Sequence, residues 1–414
     1  MALAITQHPL YTLNPVGQEV IFTVLDAVTV GAYYNVKYVA EVHISDSDIN
    51  LATSTAIGTF KTTPNNAGVG MFDFRPVAET YVSSDNLAAI GSEYKTDATS
   101  DIITHPLPLI DKFSLNSNSV RYIKIRFKVE GATTATGIPA VIDTDDSSQY
   151  TLINGYLKHT DVQDRDSSGN FGFDTGIFQM INAASGQRLL TNAPLVQYAN
   201  INDYGTLSFM ATPKAGDVLN TSVSYIRIIL VANDGSTNLI LINNLESNGG
   251  VTTWTSDTKN QILHLGCYPA NLKNWSADFI SAIPTLDYYT IGAYNTSNQS
   301  LSDELKIYIN CPNKKGFEPI RLKWLNQWGA WDYYTFNMKS TKALSTKGST
   351  YEQLSGTWND RIYSPSGYKG GKKAFRVNTT EKISMNTDFV NEAEASWFEE
   401  LVNSPEVDIL EGFQ

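Results

Sequence analysis

RYIKIRFKVE, residues 121–130, alternates without a break. Ile123, Ile125, Phe127 and Val129 fall on one side of an extended chain, and Lys124, Arg126, Lys128 and Glu130 fall on the other. Successive side chains of a strand point to opposite faces, so this stretch predicts a β-strand with one face in a core and one in water. A second such pattern lies at 36–44, with Val36, Tyr38, Ala40, Val42 and Ile44 on one face. A third, at 17–25, follows the turn signal Asn14-Pro15-Val16-Gly17. Met71-Phe72-Asp73-Phe74 runs into Arg75-Pro76, where a residue without an N–H ends ladder pairing. Short strands divided by Gly, Pro, Asn and Ser clusters predict a β-sandwich.

The order recurs. VSYIRIILVA at 223–232 is similar to 36–44, and ILHLGCY at 262–268 falls where 71–74 fell, again running into a proline, Pro269. The expected fold is mainly β: two β-sandwich domains of Ig-like type plus a small C-terminal α+β domain. The expected boundaries are 1–135 for the first sandwich, 136–199 for a loop-rich connecting region, 200–316 for the second sandwich and 317–414 for the C-terminal domain. In that last part Asn391 and Glu394 have the spacing of a reciprocal helix cap. Trp397, Phe398, Leu401 and Val402 then predict one apolar helix face, and Ser404-Pro405 a stop.

Composition narrows the partners. Charged residues make up only 17% of the 414, so the polar surface is built largely from Ser, Thr, Asn, Gln and Gly. The net charge of -12 argues against nucleic acid, which needs a basic stripe. Cys267 and Cys311 are too few for a disulfide framework, and their apolar surroundings predict buried thiols. No apolar run reaches the about 18 residues of a membrane-spanning helix. The start, MALAITQHPLY, lacks a basic region and an apolar run, so no secretory signal is expected. The chain is expected to be made in a host cytoplasm and released, if at all, as part of a particle.

Few residues suggest chemistry. His8, His43, His105, His159 and His264 show no metal-binding spacing, and packing or surface roles are expected of them. There is no GxSxG elbow. GYKGGKKA, 367–374, departs from a phosphate-binding loop at Ser366 and Lys373 and reads as a hairpin loop. DRDSSG, 164–169, places oxygen ligands at Asp164, Asp166 and Ser168 with Gly169 sixth, as in a calcium loop. Its twelfth position is Thr175 rather than Glu, which leaves an ordinary turn as the competing reading. Calcium is the one cofactor considered, and no catalytic residue is expected.

RLKWLNQWGAWDYYTF, 321–336, holds six aromatic residues in sixteen. Weak alternation on either side of Gln327-Trp328-Gly329-Ala330 predicts a β-hairpin, with Gly329 free to take a positive φ. Trp324, Trp328, Trp331, Asp332, Tyr334 and Phe336 are the candidate interface or ligand-contact residues. Three uses compete: a hairpin core packed on a neighbouring sheet, a subunit interface rich in Trp and Tyr, and a carbohydrate platform of exposed coplanar rings.

Residues 325–336, LNQWGAWDYYTF, resemble a segment of virion structural proteins of tailed phages, chiefly marine phages and phages of Bacteroidetes. Leu325, Asn326, Gly329, Trp331, Asp332 and Phe336 stand at the matching places of an LNxxGxWDxxxF hairpin. GMFDFRPVAETYV (70–82), INGYLKH (153–159) with RLLTNAPLVQYANINDYGTLSFM (188–210), and MNTDFVNEAEASWFEELVNSPEV (385–407) are similar too, in the same order. The resemblance implies a non-enzymatic structural component of a phage particle, in the tail or baseplate region. Its implied partners are other virion proteins and further copies of itself in a homo-oligomer. The alternative is a receptor- or glycan-binding module on the particle that meets a host surface glycan.

Overall fold

The alternating stretch at 121–130 is the interior of a 13-residue strand in the computed structural model. The structure describes the chain except residues 1, 10–12, 89–105, 159–188, 212–222, 224, 244–260, 296, 311–315, 355, 358–360, 366–370 and 411–414. The architecture is mainly β, with several small sheets and a few short helices.

The first part of the chain supplies, in order, β1 (Ala4–Gln7), β2 (Leu13–Pro15), β3 (Ile21–Leu25), α1 (Ala27–Ala32), β4 (Tyr34–Ser45), β5 (Gly58–Thr62), β6 (Val69–Asp73) and α2 (Arg75–Tyr81). There follow β7 (Phe113–Asn116), β8 (Val120–Ala132), β9 (Ala140–Asp146) and β10 (Tyr150–Ile153). One sheet runs β1-β3-β6; a larger one runs β2-β10-β8-β4-β5, with β9 also on β8. Their apolar faces share a core. Phe22 and Phe72 of the small sheet each lie 5.7 Å from the Phe127 ring of the large one. Ile123, Ile125, Phe127 and Val129 are all fully buried, as period two requires.

The second part supplies β11 (Val196–Ala199), β12 (Thr206–Ala211), β13 (Tyr225–Ala232), β14 (Thr237–Asn243), β15 (Gln261–Gly266), α3 (Pro269–Trp275), α4 (Ala277–Ala282), β16 (Leu286–Tyr294) and β17 (Leu305–Ile309). Its larger sheet runs β11-β17-β16-β13-β14. Apart from β9, which has no counterpart among the described residues, this repeats the earlier order. In each sheet the first strand lies parallel to the last, and the other pairs along the order are antiparallel. The repeat seen in sequence falls on matching places: 36–44 lies in β4 and 223–232 leads into β13. Likewise β6 and β15 each lead into a helix with proline in its first turn, where a missing N–H costs nothing.

One strand breaks the symmetry. β7 precedes β8 in sequence, yet it pairs with β15 in the sheet β12-β15-β7. Phe113 of β7 accordingly joins the core formed by Phe209, Leu263, Ile228, Tyr289 and Ile307. Cys267 is buried beside that core, and burial pushes its thiol up to about 12, leaving it a neutral packing group. Cys311 lies outside the described residues.

The final elements are β18 (Ile320–Leu325), β19 (Trp331–Phe336), β20 (Thr341–Gln353), β21 (Gly371–Ser384), α5 (Glu392–Asn403) and β22 (Val407–Ile409). β18 lies between β19 and β22 in a three-stranded sheet, and among the described residues β20 pairs with β21 alone. α5 starts on the expected reciprocal cap: Asn391 Oδ1 accepts from the Glu394 N–H at 2.8 Å, and Glu394 Oε2 accepts from the Asn391 N–H at 2.9 Å. The expected apolar face of α5 is only partly right. Trp397 is buried, but Val402 is 84% exposed, and the other buried residue is Glu400. The chain forms two compact units. One contains Met1–Pro312, Arg321–Thr335 and Asn391–Gln414; the other contains Asn313–Ile320 and Phe336–Val390. The second unit consists chiefly of the β20–β21 ribbon, whose 13 and 14 residues are exposed except Gln353 and Ile383.

The crossing of β7 leaves no room at the end of β15. A Cβ on Gly266 would lie 2.2 Å from the Ile110 carbonyl oxygen, a backbone atom that cannot swing aside. Gly266→Ala is expected to lower unfolding stability by about 1–3 kcal/mol in a urea titration. An unchanged midpoint would mean that the segment before β7 is not held against β15.

Candidate functional site

The aromatic stretch folds as its alternation predicts. β18 and β19 are neighbours, joined by the turn Asn326–Ala330, and Gly329 takes φ +77°. Asn326 builds the turn. Its Oδ1 accepts from the N–H groups of Trp328 and Ala330 at 3.0 and 3.1 Å, while its Nδ2 donates to the Leu190 carbonyl at 2.8 Å. The turn packs backbone to backbone on Asn154-Gly155. A Cβ on Gly155 would meet the Gln327 carbonyl oxygen at 2.4 Å, and one on Gly329 would meet the Asn154 carbonyl oxygen at 2.8 Å. The N–H of Tyr156 completes the contact by donating to Gln327 O at 3.2 Å.

Three of the candidate contact residues turn inward. Trp324, Trp328 and Trp331 are buried. Trp324 meets the Trp397 ring of α5 at 4.9 Å. Trp328 and Ala330 join Leu13, Val120, Ile153 and Met210 in a small core, while Trp331 and Tyr333 enter the large core of the second sheet pair. All three rings are thus enclosed within the chain itself, as the hairpin-core use requires. Tyr334 and Phe336 are half-buried, and Tyr334 stands edge-on to Phe398 at 4.7 Å.

Asp332 sits at the centre of the polar contacts. It accepts three side-chain hydrogen bonds: from Thr191 Oγ1 at 2.7 Å, Asn326 Nδ2 at 3.1 Å and Trp397 Nε1 at 2.7 Å. A second buried carboxylate, Glu400 of α5, takes Lys158 Nζ at 2.8 Å and Asn192 Nδ2 at 2.6 Å on one oxygen. Asn192 joins the two sides of the cluster, since its Oδ1 accepts from Trp328 Nε1 at 3.1 Å and its Nδ2 reaches Gln327 Oε1 at 3.0 Å. Burial, and then the charge of Glu400, push Asp332 up to about 7; the three donors pull the other way and only limit the rise.

Two cations complete the hairpin. The Arg321 guanidinium lies 4.7 Å from the Tyr268 ring and 5.4 Å from the Tyr333 ring, and its Nη1 reaches Thr335 Oγ1 at 2.7 Å and Asp203 Oδ2 at 3.2 Å. Lys323 Nζ lies 3.9 Å from the Trp331 ring centre and reaches Asn86 at 2.7 Å and Asp408 at 3.0 Å. None of Lys158, Thr191, Asn192, Arg321, Lys323 and Glu400 was marked by the sequence. Only Glu400 left a trace there, three residues after Trp397 on the same side of α5.

A separate constellation has the residue types of a hydrolase relay. His264 Nδ1 is 2.8 Å from Ser208 Oγ, and its Nε2 faces Asp85 Oδ2 across 3.7 Å, beyond hydrogen-bond range. Asp85 also accepts from Ser119 Oγ at 2.8 Å. All four side chains are buried, and Asp85 Oδ1 and His264 Nε2 have no hydrogen-bond partner among the described residues. His43 is likewise buried, beside Ser54 Oγ at 2.9 Å, and His8 is exposed; His105 and His159 lie outside the described residues. Among the described residues no three His, Cys, Asp or Glu side chains come together as metal ligands. The calcium candidates Asp164, Asp166 and Ser168 lie outside them. No helix among the described residues is long and apolar enough to cross a membrane.

No family model matches the chain, and no curated protein matches it. A solved structure described as "Biofilm associated protein - BSP domain" is similar at 10% identity, with a TM-score of 0.14, over 93% of this chain and 64% of that one. A score that low carries no argument about fold or function.

Two outcomes follow from the hairpin. Trp324→Ala is expected to cost about 3–5 kcal/mol of stability, measured by urea unfolding, because it empties a fully enclosed site. Asp332 gives a pH signature. Its folded value of about 7 lies above the unfolded value of about 4, so the folded state holds the extra proton between them. The stabilisation is complete below about pH 4 and is lost as pH rises through about 7. Asp332→Asn should remove that fall in melting temperature; an identical slope in the variant would assign the titration elsewhere.

Proposed function

We propose that this chain is a non-enzymatic structural subunit of a tailed-phage particle, in the tail or baseplate region, that assembles through β-rich surfaces. The observation that carries the reading is the β20–β21 ribbon. Two-stranded ribbons are marginal in water, because a pleated surface gains stability only when a third strand or another layer covers it. Here a 13-residue and a 14-residue strand pair with each other alone among the described residues, and nearly every residue is exposed. Such a ribbon has the form of a structure completed by association, and its unpaired edges are ready to pair further. The sequence resemblance around 325–336 points the same way.

On this reading each pair of sheets is a β-sandwich of Ig-like type, the second a duplicate of the first, and together they make a stiff body. The hairpin 320–336 locks that body, and the ribbon serves as its means of attachment. The mechanical role asks for stiffness and complementary surface rather than reacting groups, in keeping with the burial of the Asp332–Glu400 and Ser208–His264 clusters.

Particles banded on a density gradient, from a host lysed by the phage that encodes the chain, are expected to contain it in a fixed ratio to their major tail protein. Gold-labelled antibody against the chain should mark the tail end. Recovery of the chain only in the soluble fraction above the band would retire the proposal.

A further inference from the structure

We infer that the ribbon docks on the acidic surface of a second copy of this chain. The inference rests on the assembly reading above and names the partner of that surface.

Charge is divided unevenly along the molecule. β20 and β21 carry six basic residues, Lys342, Lys347, Lys372, Lys373, Arg376 and Lys382, against two acidic ones, Glu352 and Glu381, a net of +4. The whole chain carries -12, so everything outside the two strands carries -16. The two strands are basic in an otherwise acidic protein. The nearest abundant surface of opposite sign in any assembly of this chain is the body of another copy. Complementary potentials of this kind steer encounter and fix which surfaces meet.

The ribbon also carries an apolar anchor. Ser349 pairs with Arg376 and Thr350 with Ala374, so Phe375 is the unpaired residue of a β-bulge. A bulge re-aims a side chain out of the regular pleat. Phe375 stands 68% exposed with Tyr351 at 6.3 Å, and Val377 and Leu344 are 60% and 67% exposed. Aromatic groups ringed by charge are the usual centres of interface energy. The ribbon's 13 paired residues extend about 43 Å at about 3.3 Å each, enough to lie along a neighbouring body. Duplex DNA is the less favoured occupant: four net charges over that length are sparse for a phosphate track, and exposed Phe375 and Val377 have no use on one.

The test mixes heavy-isotope and ordinary full-length chains and joins lysines to carboxylates with a zero-length carbodiimide cross-linker. Cross-links from Lys372, Lys373 or Lys382 of one isotope to Asp or Glu of the other are expected. The yield at Lys382 should fall about tenfold in a Lys372→Glu, Lys373→Glu, Arg376→Glu variant, and similarly as salt rises from about 0.1 M to about 1 M, which shortens screening from about 10 Å to about 3 Å. A Phe375→Ser variant should give a lower yield, with the salt response of the remaining links unchanged. Same-isotope links alone, a monomer by light scattering at every concentration, or capture of duplex DNA in place of a second copy would each overturn the inference. These outcomes differ from failure of the assembly reading, which is absence of the chain from gradient-banded particles: a chain found in particles but linked there only to another protein would sink the second-copy docking and leave the subunit reading standing.

Discussion

The buried carboxyl group of Asp332 is the interaction on which the larger unit closes. Its three side-chain donors come from positions 191, 326 and 397, on separate segments of the chain. A carboxylate removed from water without partners is among the costliest groups a fold can hold, so the hairpin can be buried only when the segment carrying Thr191 and the α5 indole are both in place. Glu400 repeats the constraint one turn along α5, held by Lys158 and Asn192. The two carboxyls act on each other, and burial together with the charge of Glu400 favours the protonated form of Asp332. Polar satisfaction, rather than apolar area alone, sets where the C-terminal helix must sit.

Around that point the hairpin ties together the two sets of sheets. Trp331, Tyr333 and Leu325 belong to the core of the second pair of sheets. Trp328 and Ala330 belong to a small core with Leu13, Val120 and Ile153, and Leu13 and Ile153 come from the paired strands β2 and β10. β7 does the same from the other direction, leaving the strands before it to pair with β15. One short, aromatic segment can bridge so much because each large ring fills a separate site, while the glycine at 329 and the one at 155 allow two backbones to touch. The ribbon in the second unit is the opposite kind of structure. Its two strands pair with each other, and among the described residues nearly all of their side chains are exposed.

Much of this was legible from the chain. Strict alternation at 121–130 placed four side chains in a core, and all four are buried. The prolines after 71–74 and after 262–268 marked two equivalent strand-to-helix passages. Asn391 and Glu394 made their cap, and Gly329 took its positive φ. These features depend on neighbours within a few residues, where backbone geometry and side-chain reach leave few choices. The same local rules went astray on α5, where an apolar Val402 faces water and a carboxylate, Glu400, lies inside.

Sequence by itself determined the β character, the recurrence of strand order, the hairpin and the start of α5, because periodicity and turn chemistry are properties of short segments. Only the tertiary structure decided which sheet β7 joins, that three tryptophans of the hairpin are enclosed, and that Asp332, Glu400, Lys158, Thr191 and Asn192 meet. It also decided that β20 and β21 pair with each other and, among the described residues, with no third strand. The reason is physical: alternation says that one face of a strand must be covered but not by what. A buried charge is tolerable only through partners that lie tens or hundreds of residues away.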